Sequence, residues 1–342
     1  MPSCSICEKP AVYVNPVNRR AYCRQHFIEY FERKVKKTIR KYRMLGRREH
    51  IIVAVSGGKD SMALLHILHK LSRKMPGWRV TAVLVDEGIK GYREKTILNL
   101  VRYAEKTGVE YHIASFKEYV GATLDEIIEK GREKGLPYLP CSYCGVFRRY
   151  VLNKAARKLG GTVIATAHNL DDMVQTFIMN LASNSISKIF KLTPVVSSDE
   201  GVFIRRIKPF YMIPEKESAL YALLNGLIEP DYVQCPYAQY NIRFAVRKAL
   251  NELEDKYPGF KHGLLNSLIS LTERPLQEAE GRRYNCEICG EPSSHPVCRA
   301  CLYRFELGLM SSEEAGKTID AVKRYPELRK YIYRAEIVDS SG

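Results

Sequence analysis

One stretch decides the fold of this chain: Ile51-Ile52-Val53-Ala54-Val55-Ser56-Gly57-Gly58-Lys59-Asp60-Ser61. Its first five residues are apolar and mostly β-branched, which is typical of a buried strand. Leucines recur at helical spacing just after it, at positions 64, 65, 68 and 71. The sequence therefore predicts a glycine turn that joins a strand to the N-terminus of a helix.

This turn has the features of a phosphate-binding loop. Backbone N–H groups at a helix N-terminus point outward, and the helix dipole favours an anion there. Gly57 and Gly58 allow close approach of the backbone, and Ser56, Lys59 and Ser61 add donors. The Walker A pattern is excluded because its glycines are not adjacent. A glycine turn without a ligand is disfavoured because strand, double glycine, serines and helix all coincide.

The composition favours a protein that binds a polyanion. The 342 residues include 54 Lys+Arg and 38 Asp+Glu, a formal net charge of +16. Such a basic chain is typical of nucleic-acid binding, although solvated surface lysines are the plain alternative. The scarcity of glutamine is weakly typical of a thermophile. No apolar run has the length of a membrane span and no signal peptide is evident, so we expect a cytoplasmic protein.

Most of the ten cysteines lie in close pairs, which in a reducing compartment indicates metal ligands rather than disulfides. The first set, near the N-terminus, consists of Cys4, Cys7, Cys23 and His26. The second set consists of Cys286, Cys289, Cys298 and Cys301. Two close pairs can complete a tetrahedron around one zinc ion, and the metal would stabilise segments too short for a core of their own. The sequence predicts a small zinc module at each end.

A basic amphipathic helix is predicted after the first zinc module. Its apolar residues fall on one face and are Ile28, Phe31, Val35, Ile39 and Tyr42. The opposite face carries seven lysines and arginines between positions 33 and 43. This excess of cations predicts contact with a phosphate backbone. A merely solvated face is the alternative, and a membrane-surface helix fits less well.

Strands and helices alternate after the glycine turn. Further strands are predicted at 80–85, 109–114, 162–167 and 203–207. Helices are predicted at 96–106, 123–133, 147–159, 241–253 and 263–271. Repeating βαβ units predict an α/β fold with a parallel twisted sheet, helices on both faces and a ligand at the carboxyl ends of the strands. The glycine turn, Asp86 and the residues after Ala167 all lie at such ends.

Two adjacent acids, Asp171 and Asp172, follow the strand at 162–167. They could hold Mg²⁺ or position a donor, whereas Asp171 alone could be the N-cap of a helix at 173–181. We expect one acid to cap the helix and the other to act in the site. Arg243 and Arg247 share a predicted helix face and could contact nucleic acid or nucleotide.

Three cysteines remain in the middle of the chain. Cys141 and Cys144 precede a predicted helix near arginines, a setting that makes thiols reactive or metal-binding, and Cys235 follows much later. Three interpretations compete: a redox pair, a third zinc with an unidentified fourth ligand, and an iron–sulfur cluster with one iron open. Three thiolates without an evident fourth ligand favour the open cluster.

Together these motifs resemble those of the tRNA 2-thiouridine synthetases, a branch of the PP-loop ATP pyrophosphatases with the adenine nucleotide alpha-hydrolase-like fold. The resemblance rests on Ser56-Gly-Gly-Lys-Asp-Ser61, Pro140-Cys-Ser-Tyr-Cys-Gly145, Ala167-His-Asn-Leu-Asp-Asp172, Cys235-Pro236 and both terminal cysteine modules. It spans almost the entire chain. It is greatest to the thermophile enzymes that thiolate 5-methyluridine in the T loop, and the enzymes that thiolate the wobble uridine share most of these motifs.

The resemblance implies an ATP-dependent tRNA sulfurtransferase. In such enzymes ATP adenylates O2 of a uridine, and sulfur then displaces AMP from C2. The residues that it implies for ATP, with Mg²⁺, are Ala54, Val55, Ser56, Gly57, Gly58, Lys59, Asp60, Ser61, Leu84, Val85, Ala167 and Asp172. It implies a 4Fe-4S cluster that carries the sulfide on Cys141, Cys144 and Cys235. The implied partners are tRNA, a ubiquitin-like sulfur carrier with a C-terminal thiocarboxylate, and a second copy of the chain.

One position departs from the family pattern. Four residues after the second mid-chain cysteine, relatives can carry a catalytic lysine, where this chain has Arg148. Arginine keeps the charge but cannot act as a general base, which leaves Arg148 an electrostatic role. The resemblance also implies that Asp172 belongs to the active site.

The predicted organisation has five parts and two functional rivals. The parts are an N-terminal zinc module (1–27), a basic linker helix (28–50), the ATP-binding catalytic domain with its iron–sulfur site (51–275), a C-terminal zinc module (276–310) and a charged helical tail (311–342). One rival is a PP-loop amidating or lysidine-forming enzyme, which needs a nitrogen donor and no three-cysteine site. The other rival is a zinc-dependent RNA-binding adaptor, which would not release pyrophosphate from ATP.

Overall fold

The computed structural model describes residues 2–196, 204–228, 235–237, 242–273 and 284–333. Its strands are β1 (Tyr13–Val14), β2 (Ala21–Tyr22), β3 (Glu49–Val55), β4 (Trp78–Asp86), β5 (Glu110–Ser115), β6 (Val163–Ala165), β7 (Val195–Val196), β8 (Arg205–Ile207), β9 (Tyr284–Asn285) and β10 (Pro292–Ser293). Its helices are α1 (Arg24–Lys41), α2 (Lys59–Ser72), α3 (Arg93–Thr107), α4 (Phe116–Val120), α5 (Leu124–Glu133), α6 (Pro140–Lys158), α7 (Leu170–Ala182), α8 (Ile186–Ile189), α9 (Glu215–Leu224), α10 (Arg243–Lys256), α11 (Phe260–Thr272), α12 (Arg299–Leu307) and α13 (Ser312–Arg324). A 3₁₀ helix follows at Pro326–Tyr331.

The central sheet has the strand order β5-β4-β3-β6-β8-β7. Its first five strands in this order are parallel, as predicted. The edge strand β7, which the sequence did not predict, pairs with β8 in the antiparallel direction. The connection from β7 to β8 is too short for the crossover helix that parallel neighbours require.

Helices cover both faces of the sheet, as predicted. Ile52 of β3 and Ile164 of β6 are fully buried in a core that includes residues of α6 and α12. Ile51 and Val53 are fully buried in a second core, on the other face, with residues of α1 and α2. Alternate residues of β3 enter different cores because successive side chains of a strand point to opposite faces.

Helix α1 packs onto the second core. Phe27 and Phe31 are fully buried, and the Phe31 ring stacks on that of Tyr221 in α9 with centroids 4.4 Å apart. The apolar face is rotated from the predicted one, because Phe27 is buried while Ile28 is only partly so. The face with the lysines and arginines remains largely exposed to solvent.

Helix α6 begins at Pro140, whereas the sequence predicted a helix from 147. Proline suits the first position of a helix because its φ is already helical and it needs no acceptor there. The mid-chain cysteines Cys141 and Cys144 therefore lie in the first turns of α6 rather than before it. In its described part, the predicted helical tail (311–342) is divided into α13 and the 3₁₀ helix, since the residue before a proline disfavours helical geometry.

Some predicted boundaries, including residues 203 and 241, lie outside the described residues. Within the described residues, no helix combines the length and the apolar character needed to cross a bilayer.

Candidate active site

The phosphate loop, residues 56–61, follows β3 and leads into α2. The Ser61 Oγ accepts a hydrogen bond from the Ser56 N–H at 3.1 Å and lies 3.1 Å from the Ser56 Oγ. Gly57 has a φ of +79°, and a Cβ atom there would lie 2.5 Å from the Thr96 carbonyl oxygen, so only glycine fits. Gly58 is the N-cap of α2 and provides no side-chain cap, which leaves the first N–H groups of the helix suited to an anion.

Lys59 is held between two carboxylates. Its Nζ lies 2.8 Å from Asp60 Oδ2 and 2.7 Å from Glu215 Oε1 of α9. Burial opposes the charge of Lys59, but the two carboxylates raise its pKa above the usual value, so the amine remains protonated. Glu215 also pairs with Arg247 of α10 at 2.9 Å, which places this predicted contact residue beside the phosphate loop.

Asp172 lies at the N-terminus of α7, at the carboxyl end of β6. The N-cap is Asn169, whose side chain accepts from the Asp172 N–H at 3.0 Å while the Asp172 carboxylate accepts from the Asn169 N–H at 3.1 Å. Burial raises the pKa of Asp172 to about 6, although the Asn169 N–H counteracts this. The charge of Asp60 raises the pKa further, so Asp172 lies within electrostatic reach of the phosphate loop. Asp172 faces Arg243 of α10, with 3.8 Å between Oδ1 and Nη1.

Asp171 has a structural position, and the prediction that it could be the N-cap is wrong. Its Oδ1 lies 2.5 Å from the Nζ of Lys261 in α11, and both side chains are less than one-tenth exposed. Its Oδ2 accepts from the Glu215 N–H at 2.7 Å. Asp171 thus joins α7, α9 and α11 instead of facing the cleft, because its charge is already balanced inside the protein.

The three mid-chain cysteines lie near one another. Cys141 is exposed, Cys144 is buried and Cys235 is partly buried. Burial raises the pKa of both Cys141 and Cys144, and the charge of Cys235 raises each further, so Cys235 acts on both thiols electrostatically. The Cys141 Sγ also lies 3.9 Å from the carbonyl oxygen of Tyr237, and the Tyr237 hydroxyl donates to Asp125 at 2.7 Å. These contacts attach the segment around Cys235 to the start of α6.

The sulfur atoms of these cysteines are spread more widely than those of a single-ion site. In the described part of the chain, two sets of ligand atoms lie within 4.8 Å of one another, and both are terminal sets. The mid-chain thiols form no such set, which fits a multi-iron cluster better than one metal ion.

A continuous chain of polar contacts leads from Cys144 to the phosphate loop. Arg148 Nη2 donates to Cys144 Sγ at 3.3 Å, and Arg148 Nε lies 3.5 Å from Glu87 Oε1. Glu87 also pairs with Arg93, whose Nη1 donates to the Ser56 carbonyl oxygen at 3.0 Å. We call these five residues the loop-to-cysteine chain.

Beside the loop-to-cysteine chain, the cleft around His168 is strongly positive. Burial lowers the pKa of His168 to about 4, and the charges of Lys208, Arg243, Arg148 and Arg206 lower it further. His168 is therefore neutral at physiological pH, because burial and the four positive charges all disfavour the imidazolium. Such a cleft attracts an anion.

Two of these cations, Arg206 and Lys208, lie on or just after β8. In the described part of the chain they donate to neutral acceptors, the Asn153 side chain and the Thr193 carbonyl oxygen. Burial lowers the pKa of Lys208 to about 8, and Arg206 contributes. Their positive charge is therefore available to a ligand.

The two terminal cysteine sets have the geometry of tetrahedral metal sites. Cys7 and Cys23 have sulfur atoms 3.7 Å apart, and the Cys4 sulfur lies 3.4 Å from His26 Nδ1. In the C-terminal set the Cys289 sulfur lies 3.7 Å from that of Cys298, the N-cap residue of α12. A tetrahedral ion with metal–sulfur bonds of ~2.3 Å separates its sulfur ligands by about 3.8 Å. Both sets therefore fit a small tetrahedral ion.

The five apolar residues implied for ATP outside the phosphate loop lie near the carboxyl ends of the strands and are Ala54, Val55, Leu84, Val85 and Ala167. Leu84 and Val85 are buried in β4, so a nucleotide could meet their backbone but not their side chains. Ala54 and Ala167 are partly exposed beside the phosphate loop and α7 respectively.

Comparison with known proteins identifies the family. The PP-loop domain family matches residues 28–228. The tRNA-5-methyluridine(54) 2-sulfurtransferase of Pyrococcus horikoshii is 36% identical over 305 residues, which are 88% of this chain and 93% of that protein. The chain belongs to the PP-loop family of tRNA 2-thiolation proteins.

Other tRNA 2-thiolation proteins support this membership. Cytoplasmic tRNA 2-thiolation protein 1 of Saccharomyces cerevisiae is 33% identical over 310 residues, 87% of this chain and 84% of that protein. The solved U34-tRNA thiolase NcsA from Methanococcus maripaludis, with its 4Fe-4S cluster, has a TM-score of 0.76 and 33% identity, covering 91% of this chain and 98% of that chain. The predicted family and fold class are confirmed.

Several polar residues of this PP-loop site were not identified from the sequence. Glu87, Arg93 and Glu215 contact the phosphate loop directly or through one side chain, and Lys208 lies in the positive cleft. Glu87 follows a predicted strand end, which was the one available signal for it. The others come from distant helices or strands that only the tertiary fold brings together.

Proposed function

We propose that this PP-loop protein is an ATP-dependent tRNA sulfurtransferase that replaces the O2 atom of a uridine with sulfur. The first target is 5-methyluridine of the T loop, because the T-loop sulfurtransferase of P. horikoshii is similar over 88% of the chain. The observation that carries the proposal is the loop-to-cysteine chain, in which a thiol of the mid-chain set is connected to the phosphate loop.

The first half of the reaction adenylates the uridine. The phosphate loop binds the phosphates of ATP through the N–H groups of α2 and the charged Lys59. The uridine O2 bonds to the α-phosphorus while the bond to the β-phosphate oxygen breaks, and pyrophosphate leaves. The uridine N3 loses its proton to water as the C2–N3 bond becomes double. Arg148 and Lys59 stabilise the negative charge that accumulates on the phosphoryl oxygens. Adenylation turns the poor leaving group at C2 into a good one.

The second half delivers sulfur to C2, and AMP leaves with the former O2 atom. Cys141, Cys144 and Cys235 would hold a 4Fe-4S cluster, which when bound would supply sulfide sulfur from its open iron. Arg148 donates to the Cys144 sulfur, keeps its charge at any physiological pH and cannot accept a proton. Its role is therefore electrostatic and orienting, not that of a general base.

Further metal ions complete the site and the ends of the chain. Asp172 would bind Mg²⁺ together with the ATP phosphates, because Asp171 is engaged with Lys261 and only Asp172 faces the cleft. The terminal cysteine sets would each hold one zinc ion, for which thiolate and imidazole are the preferred ligands. These ions would stabilise the predicted modules at 1–27 and 276–310.

The partners follow from the charges and from the relatives. The positive cleft at His168 and the cations of α1 would bind the tRNA phosphate backbone. The sulfur source would be a ubiquitin-like carrier with a C-terminal thiocarboxylate, and the chain would act as a cytoplasmic homodimer. The yeast relative is named as a cytoplasmic protein, which supports the location.

Thiolation of the wobble uridine is the second candidate. It is favoured by the similarity to the U34-tRNA thiolase, whose structure aligns with 91% of this chain. The chemistry is the same for both positions, so only the position of the target in the tRNA differs.

Pyrophosphate release tests the adenylation step. The native protein, purified anaerobically, should be brown and should release pyrophosphate from ATP only when tRNA is present. Cys235→Ala should lose the brown colour and thiolation but keep ATP binding. Ser142→Ala, an exposed change in the same turn as Cys141, is the control and should keep all three. Full thiolation by Cys235→Ala, or no pyrophosphate with native protein, would contradict the proposal.

A further inference from the structure

The loop-to-cysteine chain contains a buried acid with two arginine partners. Glu87 is 1% exposed and pairs with Arg93, which is 4% exposed. The same carboxylate faces Arg148, which is half-exposed in the cleft. Leaving a buried charge without its partner is costly, so loss of either arginine contact at Glu87 is unfavourable.

The two arginines contact different parts of the site. Arg93 donates to the Ser56 carbonyl oxygen at 3.0 Å and to the Thr96 hydroxyl at 3.1 Å, so its position depends on the shape of the phosphate loop. Arg148 donates to the Cys144 sulfur at 3.3 Å. Both contact Glu87 through the planar fork of the guanidinium, which can bind two acceptors at once. A shift of the carboxylate toward one arginine weakens its contact with the other.

We propose that Glu87 is a positioning residue that couples nucleotide binding at the phosphate loop to the Cys144 sulfur. A nucleotide that moves the Ser56 carbonyl oxygen changes the position of Arg93, and with it the ion pair between Arg93 and Glu87. Arg148 then changes its hydrogen bond to the Cys144 sulfur. The inference rests on the proposed function, because it concerns the same two sites.

The coupling orders the two half-reactions. Sulfur delivery before adenylation would be unproductive, because the uridine C2 then lacks a good leaving group. If the contact at the sulfur site changes when nucleotide occupies the phosphate loop, sulfur delivery is favoured after ATP has bound. Coupling of this kind is reciprocal, so the state of the cysteine site must alter the affinity for nucleotide by the same factor.

Nucleotide affinity tests the coupling without measuring activity. The dissociation constant of a non-hydrolysable ATP analogue is measured anaerobically, by calorimetry, on cluster-loaded and on cluster-free protein. In the native chain we expect the two constants to differ by about fivefold or more, the usual lower range of allosteric coupling. The electron paramagnetic resonance spectrum of the reduced cluster should also shift when the analogue binds.

Two variants interrupt the loop-to-cysteine chain at different contacts. Glu87→Gln removes the shared charge. Arg93→Lys keeps a buried cation but loses the planar guanidinium, whose two separate nitrogens contact Glu87 and the Ser56 carbonyl oxygen. In both, the two constants should agree within twofold and the spectral shift should vanish, while the analogue still binds. Arg93→Lys retains the buried charge pair and provides the test if Glu87→Gln does not fold.

Glu49→Gln is the matched control. Glu49 is a mostly buried acid that pairs with Arg205 at 2.6 Å. Both residues begin their strands, at the end of the sheet opposite the phosphate loop. This variant should keep the native coupling.

Each outcome decides between the two proposals. Equal constants in the native chain, or native coupling in both variants, would overturn the role of Glu87 while tRNA thiolation stands. A native chain that binds the analogue but holds no cluster would overturn the proposed function, and this inference with it.

Discussion

Lys59 of the phosphate loop forms an ion pair with Glu215 of α9, with 2.7 Å between Nζ and Oε1. The pair joins the loop to a helix more than 150 residues away in the sequence. Glu215 also holds Arg247, so one carboxylate orients two cations beside the loop. The phosphates of ATP must compete with this carboxylate for Lys59, and the binding energy of the nucleotide reflects the balance.

Loss of Lys59 should weaken ATP binding. Lys59→Ala removes a charged hydrogen-bond donor, which is worth about 1.5–3 kcal/mol, or roughly 10- to 150-fold in the dissociation constant. Calorimetry with a non-hydrolysable ATP analogue measures the change. Lys216→Ala, which removes an exposed lysine of the same region that pairs with Asp255, should leave the constant unchanged. A Lys59→Ala constant within twofold of native would refute the role of this lysine.

Asp172 should give the activity an acidic limit. Burial raises its pKa to about 6, so the carboxylate that would bind Mg²⁺ becomes protonated as the pH falls through this value. We expect the KM for MgATP to rise below pH 6 in the native enzyme. Asp172→Asn should show a high KM at every pH, whereas Asp320→Asn, an exposed change on α13, should keep the native profile. An unchanged acidic limb in Asp172→Asn would assign the titration to another group.

Asp172 should also make stability depend on pH, in the direction opposite to that of a salt-bridged acid. Its folded-state pKa exceeds the unfolded value, so the folded state binds more protons between about pH 4 and 6. The contribution of this group to stability is therefore fully present at low pH and is lost as the pH rises through about 6. Thermal unfolding of Asp172→Asn and of the native protein at pH 5 and pH 8 measures this. The variant should gain stability relative to native at pH 8, and an equal difference at both values would contradict the assignment.

Asp171 should be a stability residue rather than a site residue. Asp171→Ala leaves Lys261 as a buried, unpaired cation, which costs about 3–5 kcal/mol. Denaturant unfolding measures the loss, and the affinity for the ATP analogue should remain close to native in the folded fraction. Asp255→Ala breaks an exposed pair and should leave stability nearly unchanged. A small loss in Asp171→Ala, with abolished nucleotide binding, would return this acid to the catalytic site.

The C-terminal cysteine set should support the mid-chain cysteines. Tyr303 of α12 lies against Tyr143 and Phe147 of α6, with ring centroids 4.9 Å and 6.0 Å apart. Cys301→Ser should therefore lower both the melting temperature and the amount of iron bound by anaerobically purified protein. Cys7→Ser should lower the zinc content but keep the iron, because the N-terminal set adjoins α1 on the other face of the sheet. Equal loss of iron in both variants would contradict this coupling.

The sequence predicts the parts of this fold whose signal is local. The strand before Ser56, the glycine turn and the helix after it follow from apolar patterning and glycine chemistry, and all are present. The antiparallel edge strand β7 escaped prediction because two residues carry no periodicity. Helix α6 was predicted too short because its first turn contains Pro140 and paired cysteines, which resemble a loop until the proline is placed at the first helical position.

The candidate site shows the same division. Cysteine spacing alone predicts the two terminal sets, because metal ligands must come in close pairs. The loop-to-cysteine chain depends on Glu87, Arg93 and Arg148, which belong to β4–α3 and α6 and share no local pattern. Their contact arises from sheet order, since β4 lies next to β3 and its end therefore meets the phosphate loop.

Mass analysis of tRNA nucleosides tests whether this protein places sulfur in tRNA, and at which uridine. Anaerobic native protein is incubated with unmodified tRNA, ATP, Mg²⁺ and sulfide, and the tRNA is digested into fragments that separate the T loop from the anticodon. We expect one sulfur at C2 of a T-loop uridine, with one AMP and one pyrophosphate formed per sulfur. Sulfur in the anticodon fragment would select the wobble uridine instead. Tightly bound tRNA that acquires no sulfur, or ATP converted to ADP, would show that the protein is not a tRNA sulfurtransferase.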